Sequence, residues 1–152
     1  MAIEAPISRH RKTNYKIYIG VCVIAAVWFG YDGYVSTKFK ATHTQDGKPD
    51  STLVFNRWAP LFFIGGAVLF GLYLSKIQNR KMVAGETELV ISDKERIPYD
   101  SVQKIDKTYF DSKGYFIITH KDSNGREANR KLSDRNYDNL RAILDHLVAK
   151  IT

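Results

Sequence analysis

Two uncharged apolar segments stand out in the first half of the chain. The first runs from Ile17 to Tyr31 and the second from Trp58 to Leu74, and Lys or Arg residues flank both. With its interfacial ends, each segment approaches the roughly 20 residues that an α-helix needs to cross a bilayer. The pattern predicts two membrane spans, at about 16–35 and 58–77.

The first segment also has a feature of a secretory signal peptide, a basic stretch immediately before the apolar run. However, the apolar run is long and no small-residue cleavage site follows it. Trp28, Tyr31 and Tyr34 give it the aromatic edge of a span that ends at a membrane interface. We therefore interpret it as a retained span.

The predicted organisation has three parts. Residues 1–15 form a basic N-terminal tail, 16–78 a transmembrane hairpin and 82–152 a soluble domain. The tail is polar and lacks periodicity, so it is expected to be mobile or bound to a partner.

The connection between the two spans, residues 36–57, contains the turn-forming sequence Asp46–Asp50. Pro60 is expected in the first turn of the second span, where its missing N–H costs nothing.

Charge separates the two halves of the chain. Residues 1–81 carry 11 Lys/Arg against 4 Asp/Glu, whereas residues 82–152 carry 12 of each. The positive excess therefore lies beside the membrane segments, where orientation signals and anionic-lipid contacts occur. The neutral second half lacks the basic footprint of a nucleic-acid-binding domain.

The distribution of Lys and Arg also predicts an orientation. Seven basic residues flank the N- and C-terminal sides of the hairpin, and four lie in the connecting segment. The bias places both termini and the soluble domain in the cytoplasm and residues 36–57 outside. The candidate contacts to partner proteins or anionic headgroups are Arg9, Arg11, Lys12, Lys16, Arg80 and Lys81.

Asp32 lies where the first span is expected to leave the membrane. A carboxylate is unfavourable at a helix C-terminus, so it either lies in water at headgroup level or bonds a partner. Arg57 is the candidate partner, which would tie the two spans together. Small residues could let the helices approach closely or could simply face lipid, and neither span contains a G-x-x-x-G motif. They are Gly20, Ala25 and Ala26 in the first span and Gly65, Gly66 and Gly71 in the second.

From Thr87 onward, short β-like runs alternate with turns. The predicted strands are Thr87–Ser92, Arg96–Tyr99, Ile105–Phe110, Tyr115–His120 and Arg126–Leu132. Lys81–Gly85 is a candidate for one more.

The predicted turns are Ser92–Glu95, Asp100–Lys104, Asp111–Gly114 and Asp122–Gly125. They divide the runs into consecutive antiparallel strands.

A helix is predicted to close the chain, with Ser133 or Asp134 as its cap. Apolar residues at spacings of three and four form one stripe, which the sheet is expected to cover. The stripe contains Tyr137, Leu140, Ile143, Leu144, Leu147, Val148 and Ile151.

The segments Glu86–Ser92, Arg96–Asp106 and Lys113–Ile118, followed by the closing helix, resemble the pleckstrin-homology-like (PH-like) domains of bacterial membrane proteins. Members of that family commonly follow one or two membrane spans. The resemblance covers about residues 86–151. It implies an α+β module, an antiparallel sheet or partial barrel capped by a C-terminal helix, that binds proteins or lipids.

Catalytic patterns are missing from the sequence. His10, His43, His120 and His146 have no metal-ligand spacing to one another, and Cys22 is the single cysteine. Neither a phosphate-binding loop nor a nucleophile elbow occurs. The expected protein is not an enzyme and uses no cofactor, metal, nucleic acid or small-molecule substrate.

Three function classes remain. The favoured one is a membrane-anchored interaction module of the bacterial inner membrane, acting as an accessory or assembly subunit of a larger membrane-protein complex. The alternative is a membrane-tethered, lipid-sensing PH-like module. The third, part of an enzyme or transporter, would require oligomers, because two spans cannot enclose a transport pathway.

Overall fold

The structure, a computed structural model, describes residues 1–151. Thr152, which the predicted soluble domain includes, lies outside the described residues. The chain forms two compact units: one combines residues 1–12 with those from 76 onward, and the other comprises residues 13–75.

Nine strands and five α-helices make up the described chain. In chain order they are β1 (Ile3–Pro6), α1 (Arg9–Gly30), α2 (Thr37–Thr42), β2 (Thr44–Gln45), β3 (Lys48–Pro49), α3 (Ser51–Ile77), β4 (Lys81–Ala84), β5 (Glu88–Ser92), β6 (Glu95–Pro98), β7 (Val102–Asp106), α4 (Phe110–Lys113), β8 (Tyr115–Lys121), β9 (Glu127–Ser133) and α5 (Leu140–Ile151). A π-helical turn, Tyr31–Val35, follows α1, and a 3₁₀ turn, Tyr99–Ser101, precedes β7.

Two antiparallel sheets form the domain that contains the C-terminal half. The first has the order β1-β4-β5-β6 and the second the order β7-β8-β9. The strands therefore follow one another as a four-strand and then a three-strand meander, closed by α5. The α+β class and the antiparallel sheets are confirmed.

The core of this domain lies between the inward faces of the sheets and α5. Met82, Leu89, Ile97 and Phe116 are almost fully buried, and α5 covers them with its apolar stripe. The α5 residues that are buried are Leu140, Ile143, Leu144 and Leu147. The predicted amphipathic helix is confirmed.

The N-terminal tail predicted over residues 1–15 forms a strand followed by the first turns of α1. Ile3–Pro6 pairs antiparallel with β4, in a register that aligns Ala5 with Met82. Ala5 and Ile7 are buried, whereas Glu4 and Pro6, which alternate with them, are exposed. This alternation of buried and exposed side chains is typical of a half-buried strand. A strand of only four residues is formed by its pairing with a strand that is distant in sequence. The first sheet is thus completed by residues that precede both long helices.

Two predicted strand boundaries in the second sheet also need correction. Asp100–Lys104 is not a turn, because β7 begins at Val102. The strand predicted to reach Phe110 ends at Asp106, whose side-chain oxygen accepts a bond from the Thr108 N–H. That local bond turns the backbone out of the strand, and Phe110 instead begins α4.

The closing helix begins at Leu140, six or seven residues after its predicted cap at Asp134 or Ser133. Ser133 accepts bonds from the N–H groups of Asn136 and Tyr137 and so starts a turn rather than a helix. Asn139 has φ +60°, which is incompatible with α-helix, and α5 starts at Leu140. Tyr137, predicted on the helical stripe, bridges to Ile7 instead.

The second long helix begins well before its predicted start. Asp50 accepts a bond from the Leu53 N–H at 2.8 Å and caps the helix, so α3 starts at Ser51. Pro60 is therefore inside the helix, not in its first turn. Residues 36–57 form α2, the β2–β3 hairpin and the start of α3 rather than a loop, and the predicted turn is present at Asp46 and Gly47.

Candidate membrane-anchoring and contact site

The two long helices present large apolar side chains on their outer surfaces. Both are long and apolar enough to cross a membrane, and only 11% and 6% of the residues in their most apolar windows are buried. Trp28, Phe62 and Leu69 are each about 70% exposed. A soluble monomer rarely exposes apolar surface of this extent, so these helices require an apolar environment or a partner.

The helices of residues 13–75 pack antiparallel along their length. The rings of Tyr15 and Tyr73 lie 5.0 Å apart near one end, and those of Phe29 and Phe63 stack at 5.6 Å further along. Between them, a β-carbon on Gly66 would lie 3.6 Å from the sulfur of Cys22. Gly66 thus lies at ordinary contact distance from the other helix, whereas Gly20, Gly65 and Gly71 face open space.

Among the glycines of the two helical segments, the tightest contact is at Gly33, within the π-helical turn. A β-carbon there would lie 2.8 Å from the Asn56 carbonyl oxygen. Pro60 has no N–H, so it cannot donate to the carbonyl four residues earlier, which is that of Asn56. The Asn56 side chain is buried and donates to the Thr52 carbonyl. Pro60 thus leaves the Asn56 carbonyl without its helical donor, at the point where the other helical segment has Gly33 and therefore no side chain.

Bonds other than the predicted one between Asp32 and Arg57 join the two helical segments at this point. The Arg57 Nε donates to the Gly33 carbonyl at 3.3 Å, and the Tyr34 hydroxyl donates to the Arg57 carbonyl at 2.8 Å. Within residues 1–151, no ion pair joins Arg57 to Asp32, which is half-buried at this point. The Gly33 carbonyl of the π-helical turn, and not the Asp32 carboxylate, accepts the bond from Arg57.

The connection between α1 and α3 is held by one ion pair. His43 Nδ1 lies 2.8 Å from the Asp50 carboxylate, and the His43 ring packs against Phe39 at 4.3 Å. The bond from the Leu53 N–H, followed by the His43 contact, lowers the pKa of Asp50. This end of the hairpin is therefore an ordered cap.

At the opposite end, α1 begins inside the folded domain. Ser8 is buried, and its side chain accepts a bond from the Arg11 N–H at 3.2 Å while its own N–H donates to the Asn136 carbonyl. The Asp138 carboxylate accepts a second bond, from the Arg9 N–H at 3.2 Å. Both acceptors suit the positive end of the helix dipole. The helix start is thus fixed to the segment before α5.

The six candidate contact residues lie in different settings. Arg9, Arg11 and Lys12 occupy the first turn of α1, and Lys16 follows one turn later on the same helix. Lys81 opens β4 and forms an ion pair with Glu4 of β1, so that side chain already has a partner. Arg80 contributes its carbonyl to a bond from the Ile7 N–H.

A cleft of about 530 Å³ lies where α3 continues into the first sheet. It is lined by basic and amide side chains together with the half-buried Val83 and Val90. Its polar lining consists of Asn79, Arg80, Lys81, Ser92, Asp93 and Lys94.

Sequence reasoning missed several residues of this site. Ser8 and Asp138 hold the start of α1, and Gly33 and Asn56 form the closest contact of the hairpin. Ser8 preceding the basic turn was a visible helix-capping signal. The other three act through residues far away in sequence, which no local pattern shows.

Comparisons with family models, with curated proteins and with solved structures found no match to this chain.

Proposed function

We propose that this protein is a non-enzymatic, membrane-anchored interaction module, an accessory or assembly subunit of a larger membrane-protein complex in the bacterial inner membrane. The observation that carries the proposal is the insertion of two long helices, apolar on their outer surfaces, into a folded domain. They leave the domain after β1 and return to it before β4.

This insertion supports a definite topology. β1 and β4 pair residue by residue, so the chain must enter and leave the bilayer from the same side. Two crossings satisfy that requirement. The Lys/Arg bias then favours the cytoplasmic side for the domain.

The connections between the helices and the domain are short. Only Ile7 and Ser8 separate β1 from α1, and three residues separate α3 from β4. Ser8 and Ile77 are buried in the domain.

The proposed contact with another subunit is a groove on the hairpin. It has a volume of about 480 Å³ and is lined by small and β-branched residues that include Ala26, Ala67 and Val68. Small residues allow helices to pack closely in a membrane. The occupant we propose is a transmembrane helix of a partner subunit.

The test is gentle solubilisation of the native membrane, followed by a native gel with detection of this chain. We expect migration with companion proteins that resist mild detergent. Ala67→Trp fills the groove and should release the companions, whereas Leu69→Trp, at a position 69% exposed, should retain them. Migration of the parent chain only as a monomer or small homo-oligomer would contradict the proposal.

The second candidate is a membrane-tethered, lipid-sensing PH-like module. The cleft beside Arg80 and Lys94 favours it, because basic side chains there border an apolar floor. The meander of seven strands closed by a helix supports the resemblance to PH-like domains. Co-purification of one specific lipid, lost in Arg80→Gln and Lys94→Gln variants, would favour this function over the first.

A further inference from the structure

A stack of lysine and tyrosine side chains lies on the second sheet. The rings of Tyr109 and Tyr115 are 5.6 Å apart and tilted by 30°. The Lys113 ammonium lies 4.7 Å from the centre of the Tyr109 ring, and the Lys131 ammonium lies 3.7 Å from that of Tyr115. We call these four residues the lysine–tyrosine stack.

The stack faces away from the core. Phe116 and Leu132, which follow Tyr115 and Lys131, are buried, so the alternation of strands β8 and β9 directs Tyr115 and Lys131 to the other face. Tyr109 is 43% exposed. None of the ion pairs in residues 1–151 includes Lys113 or Lys131. The ammonium groups of Lys113 and Lys131 therefore lie over the tyrosine rings and form no ion pair with a carboxylate in this part of the chain.

The stack also lies at the end of the domain where α1 begins. Gly114, between Lys113 and Tyr115, accepts a bond from the Asp134 N–H at 2.9 Å. The next residue, Arg135, accepts a bond from the Ser8 hydroxyl, and Ser8 caps α1. Gly114 has φ +67°, and a β-carbon there would overlap the Asp134 carboxylate, so this close junction requires glycine.

We propose that the lysine–tyrosine stack binds the anionic headgroups of the membrane that holds the hairpin. This contact rests on the proposed membrane anchoring and is a second, separate contact with the lipid. Tyrosine is enriched at membrane interfaces, and lysines beside an anionic leaflet gain about 1 kcal/mol each, or about five-fold in affinity. Of the carboxylates beside the stack, that of Asp111 is paired with Arg141, and that of Asp134, next to Gly114, forms no ion pair with Lys113 or Lys131 within residues 1–151.

The test uses the full chain in nanodiscs of phosphatidylcholine, with or without phosphatidylglycerol. A nitroxide label is placed at Ser112→Cys in a Cys22→Ala background, and its accessibility to a water-soluble nickel chelate is measured. We expect the label to be shielded only in the anionic discs. Lys113→Gln with Lys131→Gln should weaken this docking roughly 30-fold and restore accessibility.

Lys121→Gln with Arg126→Gln is the matched control, because it removes two charges at the other end of β8 and β9. Shielding should survive in this control. Equal accessibility in the two kinds of disc, or equal loss in both double variants, would overturn the proposal.

Two further outcomes have separate meanings. Shielding of the label in phosphatidylcholine discs by added polyglutamate, without any effect of phosphatidylglycerol, would overturn the lipid contact in favour of an acidic protein partner. Failure of the parent chain to enter nanodiscs, or its release from native membranes at alkaline pH, would instead contradict the anchoring on which the inference rests.

Discussion

Gly33 and Asn56 are in direct backbone contact: a β-carbon at position 33 would lie 2.8 Å from the carbonyl oxygen of Asn56. This carbonyl lacks its helical donor because Pro60 lies four residues later. A π-helical turn on one helix and an internal proline on the other thus meet at one point. π-Helical turns are frequent at functional positions in helices, and internal prolines are a common cause of helix kinks.

Gly33→Ala is expected to loosen the hairpin, because the added methyl group overlaps backbone atoms that cannot rotate away. Overpacking of this kind costs about 1–3 kcal/mol. The thermal stability of the detergent-solubilised chain should fall accordingly. Gly20→Ala is the control, since nothing lies within 4 Å of a β-carbon there. Equal melting temperatures for the two variants would show that the helices do not approach at Gly33.

Replacement of residues 9–79 by a short Gly–Ser linker should give a soluble, folded domain. The Ile7 N–H donates to the Arg80 carbonyl at 3.1 Å, so a short linker can join the two strands. Removal of residues 1–8 from this shortened chain should abolish cooperative melting in circular dichroism, because β1 buries Ala5 and Ile7 in the core. Unchanged melting after that deletion would mean that β1 is dispensable.

Leu144→Ala should destabilise the domain by about 2–5 kcal/mol, because the side chain is buried under both sheets. The measurement is hydrogen exchange of the β8 amides, which reports the free energy of opening. Asp145→Ala, at the exposed neighbouring position, should change that free energy by no more than about 0.5 kcal/mol. Similar exchange in both variants would place the apolar face of α5 against something other than the sheets.

Glu86 should titrate at unusually low pH. A bond from Lys150, followed by one from the N-terminal ammonium group, lowers the pKa of this carboxyl from 4.5 to about 2. A lowered folded-state pKa stabilises the fold above the unfolded value, so this contribution is present above about pH 4.5 and is lost as the pH falls toward 2.

Lys150→Gln should raise the pKa of Glu86, as followed by NMR titration of its side-chain carboxyl carbon. Lys121→Gln, which removes a lysine remote from Glu86 in sequence, is the control and should leave the titration unchanged. A midpoint that stays near pH 2 without Lys150 would rule out this ion pair as the cause.

Labelling of single cysteines on intact cells should reveal the orientation. In a Cys22→Ala background, an impermeant thiol reagent is expected to label Ser51→Cys and to reach Ser123→Cys only after lysis. The Lys/Arg bias places position 51 outside and position 123 in the cytoplasm. The reverse pattern would show that the soluble domain lies outside.

Much of the secondary structure was predictable because it depends on local patterns. The two apolar runs, the strands β5, β6, β8 and β9, and the stripe of α5 are each complete within a few turns or residues of chain. The tight turns at Gly114 and Gly125 have positive φ angles that glycine adopts readily. Hydrophobic period and turn chemistry therefore determine these elements without reference to distant residues.

The long-range contacts of β1, α1 and the helical hairpin were decided by the tertiary structure. β1 exists because Ala5 aligns with Met82, more than seventy residues away, and α1 starts where Asp138 and Ser8 bond its first N–H groups. The Gly33–Asn56 contact and the stacking of Lys131 on Tyr115 likewise join separate elements. A four-residue strand or a single glycine gives too weak a local signal to be recognised in the sequence. The free energy that stabilises it comes from hydrogen bonds and packing that only the folded chain brings together.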